Sequence, residues 1–341
     1  MLNEQQITKL LQRVIDPVLE FSLQETSGII EVNVTGNSVE LQIALADPEI
    51  HTEQFTTNIS ELLGEFGCED ISLDLEYLPI TKVESLLAAK NNILSTESKT
   101  QFIAIASGKG GVGKSTIAAN LAVALKRTGK KVGLLDADIY GFSLPILLGT
   151  KDSPKTVDNK IIPVTTYGVQ LISMDSFVEE GEPVIWRGPM LGKMIKMFLE
   201  EVDWNAPDYL IIDLPPGTGD IALDIHTLLP TCNELIVTTP HQVAATVAAR
   251  AGIMAQKNEH HILGVVENLS YFQIENGEKI YLFGKGGGEK VAKELKTNLL
   301  SVFPIEQPKQ NDNGYLSAIY EADTAQGKRF LELAEKINDY L

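Results

Sequence analysis

The stretch that decides the fold is Gly108-Lys109-Gly110-Gly111-Val112-Gly113-Lys114-Ser115-Thr116. It follows an apolar run at 102–106, which is typical of a buried strand, and it opens an Ala/Leu-rich segment, typical of a helix, that ends at Gly129. Strand, glycine-rich loop and helix in this order form a phosphate-binding loop, because successive backbone N–H groups and a helix N-terminus then face an anion. The complete G-x-x-x-x-G-K-S pattern predicts a site for ATP with Mg²⁺.

Three side chains of this loop have expected roles. The ammonium group of Lys114 is expected to reach the β- and γ-phosphates, and the hydroxyl group of Ser115 is expected to coordinate Mg²⁺. Lys109 is a second lysine that the generic motif does not require. It is either a solvated loop lysine or a cation that neutralises charge on the γ-phosphoryl group, as an arginine finger does.

Carboxylates follow two further strand candidates. Asp136 and Asp138 stand at the end of 132–136, and Asp213 ends 209–213 and is followed by a Pro-Pro-Gly-Thr-Gly segment. Parallel strands present their carboxyl ends at one edge of the sheet, so these groups are expected beside the loop. Asp213 and Asp136 are then candidates for the Mg²⁺ site, and Asp138 for orienting the attacking water. Helix capping or turn chemistry is the alternative for Asp136 and Asp138.

Asn268 follows another apolar run, at 263–267. Its amide group has the donors and the acceptor needed to bind an adenine edge. An asparagine that serves a turn is the alternative interpretation. The sequence alone leaves both open.

From residue 101 onward, short apolar runs alternate with helical patterns. The strand candidates are 102–106, 132–136, 169–173, 209–213, 234–239, 263–267 and 299–303. Runs without polar interruption are typical of strands that are buried on both faces. We therefore predict an α/β fold for 101–341, with a doubly wound, mainly parallel sheet of the P-loop NTPase type.

The segment before this region has a different pattern. A helix at 3–13, a hairpin around Gly36-Asn37, a helix near 52–66 and a strand at 71–75 predict a small α+β domain over 1–78. Residues 79–100 contain a short helical piece and a polar tail, so they are predicted to be a linker.

Composition limits the partners. The 341 residues carry a net charge of −18, which disfavours binding to nucleic acid phosphates and to acidic membrane surfaces. The N-terminus lacks the pattern of a signal peptide, and no apolar run approaches the roughly 18 residues that a membrane helix needs. The expectation is a cytoplasmic protein with no nucleic acid and no membrane partner.

Five segments together resemble one family. They are Ile185-Trp186-Arg187-Gly188-Pro189-Met190, Pro215-Pro216-Gly217-Thr218-Gly219-Asp220, Thr238-Thr239-Pro240, Glu267-Asn268-Leu269-Ser270-Tyr271 and Phe283-Gly284-Lys285-Gly286-Gly287-Gly288-Glu289. The combination resembles the Mrp/ApbC family of P-loop ATPases, which are iron–sulfur cluster carriers. The second lysine also resembles the deviant P-loop of the MinD, ParA and nitrogenase iron-protein group.

The resemblance implies a homodimer that binds and hydrolyses ATP and passes an iron–sulfur cluster to apoproteins. It implies that Lys109 reaches across the dimer to the partner's nucleotide. The N-terminal unit resembles the small cluster-assembly domain that precedes the ATPase in many of these proteins.

The chain departs from this family at the cluster ligands. Family members usually carry Cys-x-x-Cys near the positions of Ile274 and Gly277, and this chain has no cysteine there. The N-terminal unit likewise has Asp47-Pro48-Glu49-Ile50-His51 where relatives often have a cysteine. Cys68 and Cys232 lack metal-ligand spacing, and both are expected to be buried and inert. Cluster ligands are therefore not identifiable from the sequence.

The histidines offer no alternative metal site in the sequence. His51, His226 and His241 have no partner at metal-ligand spacing, and His260-His261 are expected in a loop without a metal.

Two other functions are kept beside the carrier. The first is a nucleotide-switched, dimeric scaffold that recruits assembly partners without holding a cluster, and the missing Cys-x-x-Cys favours it. The second is a ParA-like DNA-partitioning ATPase, which the negative charge disfavours.

Overall fold

The computed structural model describes residues 3–95, 98–138, 141, 143–157, 160–177, 188–306 and 318–341. The chain divides into two compact units, 1–91 and 92–341. Ile185, Trp186 and Arg187, which contribute to the family resemblance, lie outside the described residues.

The first unit is a small α+β fold. Its elements are α1 (Glu4–Leu11), α2 (Leu23–Thr26), β1 (Ile29–Thr35), β2 (Ser38–Leu45), α3 (Thr52–Gly64), β3 (Asp70–Tyr77) and α4 (Ile80–Asn91). β1 and β2 pair as the predicted antiparallel hairpin, with Gly36 in the turn at φ +66°, and β3 pairs in parallel with β2. The short helix α2 was not predicted. An apolar cluster of α1, α2, α3 and the strands forms the core of this unit.

The second unit alternates strands and helices along the chain. Its elements are β4 (Gln101–Ser107), α5 (Lys114–Arg127), β5 (Val132–Asp136), α6 (Leu144–Leu147), β6 (Lys155–Val157), β7 (Lys160–Ile162), β8 (Val164–Thr166), β9 (Val169–Ser173), α7 (Gly188–Glu200), β10 (Tyr209–Asp213), α8 (Asp220–Leu228), β11 (Asn233–Thr238), α9 (Gln242–Lys257), β12 (His261–Glu267), β13 (Phe272–Gln273), β14 (Lys279–Ile280), α10 (Gly287–Leu295), β15 (Leu299–Val302) and α11 (Ala325–Tyr340).

One large sheet organises this unit. Its order is β15-β12-β11-β4-β10-β5-β9-β8, and each strand is parallel to its neighbours except β8, which is antiparallel to β9. All seven predicted strands lie in it, so the prediction of a doubly wound, mainly parallel sheet is confirmed. The edge strand β8 was missed because it has three residues and no extended apolar run.

The sheet is covered on both faces. One apolar cluster includes residues of α5 and α11, and a second includes residues of α7, α8, α9 and α10. Strands buried on both faces cannot alternate polar and apolar residues, which explains the continuous runs in the sequence. Among the residues that the structure describes, no helix combines the length and the apolar character needed to cross a bilayer.

Candidate nucleotide-binding site

The loop between β4 and α5 has a backbone that requires glycine. Gly111 and Gly113 have φ values of +80° and +84°, in the left-handed region that L side chains avoid, and Gly113 caps α5. A Cβ on Gly113 would also collide with the Asn268 amide, and one on Gly108 would collide with the α9 backbone at Val247. The loop therefore packs against its neighbours with no room for a side chain at Gly108 or Gly113.

Lys114 forms a buried ion pair with Asp213. Its Nζ atom lies 2.6 Å from Oδ1 of Asp213 and 3.8 Å from Oδ2 of Asp138. The side chains of Lys114 and Asp213 are 6% and 0% exposed. Burial raises the pKa of Asp213, whereas the charge of Lys114 and hydrogen bonds from Lys114 and Ser115 lower it. The expected phosphate-binding and Mg²⁺-binding groups are thus in contact.

Asp136 lies behind this pair. Its carboxylate accepts hydrogen bonds from the backbone N–H groups of Asp138 (3.2 Å) and Leu144 (3.4 Å), and from the Ser173 hydroxyl (3.2 Å). Burial and the neighbouring Asp213 raise the pKa of Asp136 to about 7. Asp136 thus makes the contacts of a turn-stabilising residue, while its side chain remains close to the charged pair.

A cavity of about 670 Å³ opens above these groups. It is lined by loop residues together with Asp138, Leu147, Leu191, Pro215, Pro216 and Ile221. Its volume lies within the range of about 300–1,000 Å³ typical of small-ligand sites. Lys109 lines it and is exposed to solvent. The structure therefore brings Lys109, Lys114, Ser115 and Asp138 around one cavity.

The glycine-containing segment after Asp213 contacts the P-loop strand. The N–H group of Gly217 donates to the carbonyl of Ser107 at 2.8 Å, and the Ser107 hydroxyl donates to the carbonyl of Lys109 at 3.2 Å. This hydrogen-bonded path joins the segment 215–219 to the phosphate-binding loop.

Asn268 contacts the loop as well. Its Nδ2 atom donates to the carbonyl of Val112 at 2.9 Å, and its side chain is buried. The amide donor expected for adenine therefore has a partner in the P-loop backbone, and contact with adenine stays a prediction.

Sequence reasoning missed the role of Glu267. Its carboxylate accepts hydrogen bonds from the Ser270 hydroxyl and from the N–H of Gly288, both at 2.6 Å. It thereby joins the residues after β12 to the first turn of α10. The glycine-rich segment 284–288 leads into this helix. An acidic residue at a buried strand end was the available signal.

The donor set fits a magnesium nucleotide. Oδ2 of Asp213 is buried and has no hydrogen-bond partner among the described residues. Mg²⁺ prefers oxygen ligands and is bound through one or two protein groups together with substrate phosphates. The Ser115 hydroxyl and Asp213 offer such oxygens beside the loop that would hold the phosphates.

The cysteines do not fit an iron–sulfur cluster. The expectation that both are buried is wrong for Cys68, which is only partly buried and lies in the first unit, whereas Cys232 is buried. Burial and the charge of Glu234 raise the pKa of Cys232, which disfavours the thiolate form that binds iron. The positions of Ile274 and Gly277 fall between β13 and β14 and carry no thiol.

The expectation for the histidines is corrected as well. His226 and His260 both contact Glu234, although His260 and Glu234 are 26 residues apart in the sequence. His226 lies on α8 and His260 directly precedes β12, so the sheet topology brings them together. His241 caps α9 by accepting a hydrogen bond from the N–H of Val243.

The chain is similar in sequence and in fold to known proteins. Residues 98–338 match the family model for ParA: NUBPL iron-transfer P-loop NTPase. An iron-sulfur cluster carrier protein of Bacillus subtilis (strain 168) is 44% identical, covering 99% of this chain and 98% of its own length. A solved nucleotide-binding protein of Archaeoglobus fulgidus, in complex with ADP, is 34% identical with a TM-score of 0.56, over 74% of this chain and 93% of that chain. The cell division ATPase MinD of Pyrococcus furiosus is 27% identical with a TM-score of 0.51, over 71% of this chain and 99% of that chain.

Proposed function

Since the chain belongs to the ParA/NUBPL family of iron-transfer P-loop NTPases, we propose that it is an ATP-hydrolysing, homodimeric carrier that delivers iron–sulfur clusters to apoproteins. The observation that carries the nucleotide part is the buried contact of Lys114 with Asp213 at the base of a glycine-lined cavity. The cargo part is supported by relatives that match this chain over nearly their full length and are named iron–sulfur cluster carrier proteins.

Nucleotide binding exchanges the partner of Lys114. Without nucleotide, the ammonium group compensates the buried charge of Asp213. With nucleotide, Lys114 turns to the β- and γ-phosphates, and Ser115 and Asp213 hold Mg²⁺. Mg²⁺, when bound, neutralises negative charge on the phosphate oxygens. The unpartnered Oδ2 atom of Asp213 supports this exchange, because it leaves an anionic ligand atom available.

Two further residues act on the γ-phosphate. Asp138 lines the cavity and lies 3.8 Å from Lys114, which supports a role in orienting the attacking water. Lys109 is exposed at the rim, from which it reaches the nucleotide of a second copy in the homodimer. There its charge stabilises the transferring phosphoryl group, as an arginine finger does.

The conformation of the segment 215–219 depends on which nucleotide is bound. It lines the cavity, bonds to the P-loop strand through Gly217, and continues directly into α8. Loss of the γ-phosphate removes contacts from this loop, as in other P-loop switches. Its movement would then shift α8 and change the surface offered to acceptor proteins.

The iron–sulfur cluster is the cargo, and its ligands differ from a Cys-x-x-Cys pair. A [4Fe–4S] cluster is normally held by four thiolates, and a dimer of this chain has only two cysteines per copy. The second candidate function, a nucleotide-switched scaffold that recruits assembly factors without a cluster, is favoured by this one observation. Iron and sulfide content after anaerobic reconstitution distinguishes the two.

Phosphate release with Mg²⁺ and ATP tests the nucleotide part. Lys114→Ala is expected to abolish ATP binding, because it removes the cation that contacts the phosphates. Lys196→Ala is the matched control, since Lys196 is half exposed and pairs with Glu200 on the surface of α7. Turnover in Lys114→Ala equal to that of the control would refute the site assignment.

A further inference from the structure

Three side chains of different elements meet at the edge of the sheet opposite the nucleotide cavity. His226 comes from the last turn of α8, Glu234 from the start of β11, and His260 from the residue before β12. Because β11 and β12 are parallel, their first residues lie at the same edge. The cluster is therefore separate from the P-loop, which lies at the carboxyl ends of the strands.

Both imidazoles point at a single oxygen atom. Nε2 of His226 lies 2.8 Å and Nδ1 of His260 lies 3.0 Å from Oε1 of Glu234. All three atoms lie within 4.8 Å of one another. Ligands about 2.1 Å from one metal ion and at tetrahedral or octahedral angles are themselves about 3.0–3.4 Å apart. A metal ion between these atoms thus requires the two contacts to Glu234 to lengthen by a few tenths of an ångström, and it requires the two nitrogens, which lie within 4.8 Å of each other, to be no more than about 3.4 Å apart.

The cluster is buried and needs a cation. The side chains of His226, Glu234 and His260 are 5%, 2% and 0% exposed. In the described part of the chain, no lysine or arginine pairs with Glu234, so two neutral imidazoles leave a buried negative charge.

A proton is a poor source of this positive charge. The outer nitrogens, Nδ1 of His226 and Nε2 of His260, are buried and have no hydrogen-bond partner among the described residues. An imidazolium would therefore hold a charged N–H group without an acceptor, which is costly in a buried site. An imidazole that ligates a metal carries its single proton on the outer nitrogen, and burying this neutral N–H group costs less than burying a charged one.

We propose that His226, Glu234 and His260 bind one divalent transition-metal ion of the Zn²⁺ or Fe²⁺ class. Two imidazole nitrogens and one carboxylate oxygen form a donor set that suits these ions and not Mg²⁺ or Ca²⁺. A cavity of about 320 Å³, lined by His260, Gln256, Asn298 and Tyr340 among others, lies beside one residue of the cluster. This site is independent of the nucleotide-dependent function proposed above.

Titration of the chelator-treated, tag-free, full-length protein with Co²⁺ tests the proposal. Excess Mg²⁺ and ADP are present throughout, so that the P-loop carboxylates are occupied. We expect one Co²⁺ ion per chain, visible ligand-field bands, and displacement by Zn²⁺. Glu234→Gln, which keeps the size of the side chain, and His260→Gln are each expected to weaken binding by about 100-fold or more.

His261→Gln is the matched control. His261 is the next residue in the chain, and its ring contacts Asn233 instead of Glu234, so Co²⁺ affinity should be unchanged. Retained ADP binding shows that each variant is folded. Wild-type protein that takes up no stoichiometric Co²⁺ overturns the proposal without any variant. Equal Co²⁺ affinity in wild type and folded Glu234→Gln overturns it as well.

Discussion

Replacing Lys114 by methionine tests the buried pair at the base of the nucleotide site. The substitution keeps an unbranched side chain of similar length and removes the ammonium charge that lies 2.6 Å from Oδ1 of Asp213. Asp213 is fully buried, so it must then be protonated in the folded state. The variant should unfold more easily because of this protonation.

The size of the effect follows from the ordinary pKa of 3.8 for this carboxyl group. Keeping it neutral at pH 7 costs about 4 kcal/mol, since each pKa unit is worth about 1.4 kcal/mol. The usual loss for breaking a buried pair, about 3–5 kcal/mol, agrees. In the variant the folded protein binds a proton that the unfolded chain has released, so the loss should grow with pH, by up to about 1.4 kcal/mol per pH unit. Because burial already raises the pKa of Asp213 in the wild-type protein, about 4 kcal/mol is the upper limit of the loss at pH 7.

Urea unfolding, followed by tryptophan fluorescence at pH 6, 7 and 8 without nucleotide, measures this loss. Trp204 is buried in the second unit, so its emission reports on the unfolding of that unit. The double variant with Asp213→Asn should recover most of the stability, because neither charge remains buried. Lys196→Met breaks an exposed pair and should cost no more than about 0.5 kcal/mol. A Lys114→Met variant as stable as Lys196→Met, or one without a pH dependence, would refute the reasoning.

Three further predictions concern the same site. The pKa of Asp136 is raised to about 7, so the stability that its protonation contributes is lost as pH rises from about 4 to about 7. Urea unfolding should show a loss of about 3 kcal/mol between pH 5 and pH 8, and Asp136→Asn should remove this pH dependence. Asn268→Ala removes the hydrogen bond to Val112 and should weaken ADP binding about 10-fold, as measured by calorimetry. An unchanged affinity would contradict a role of Asn268 in holding the loop in shape. Lys109→Ala should slow phosphate release by at least about 100-fold and leave the affinity for ADP within about threefold of wild type. If both fell by the same factor, Lys109 would bind the nucleotide itself and would have no separate role in hydrolysis.

The large sheet could be predicted because each of its strands is recognisable from its own short stretch of sequence. Strands such as β5 and β10 are buried on both faces, so each is an uninterrupted apolar run, and their observed bounds equal the predicted ones. The P-loop is a contiguous motif, and Asp213 directly ends a strand. In a parallel sheet these features determine on their own that the carboxylate lies beside the loop.

Contacts made only in the tertiary fold could not be predicted. His226, Glu234 and His260 meet because α8, β11 and the residue before β12 share one edge of the sheet, and no local pattern encodes that meeting. The partner of the Asn268 amide is a backbone carbonyl 156 residues away. Short elements such as α2 and β8 depend on packing against neighbours rather than on their own periodicity.

The absent Cys-x-x-Cys pair separates the two candidate functions more clearly than any feature of the ATPase fold. The P-loop, the carboxylates and the segment 215–219 serve a cluster carrier and a scaffold equally well. Fold alone does not settle which one this chain is. Only the cargo distinguishes them.

The most direct measurement is therefore the iron and sulfide content of the full-length protein after anaerobic reconstitution, together with transfer to an apo-acceptor with and without ATP. We expect a cluster bound in stoichiometric amount per dimer and released to the acceptor in a nucleotide-dependent manner. Cys68→Ser and Cys232→Ser then show whether either thiol is a ligand. A colourless protein that still hydrolyses ATP would contradict the carrier function and leave a nucleotide-switched scaffold in its place.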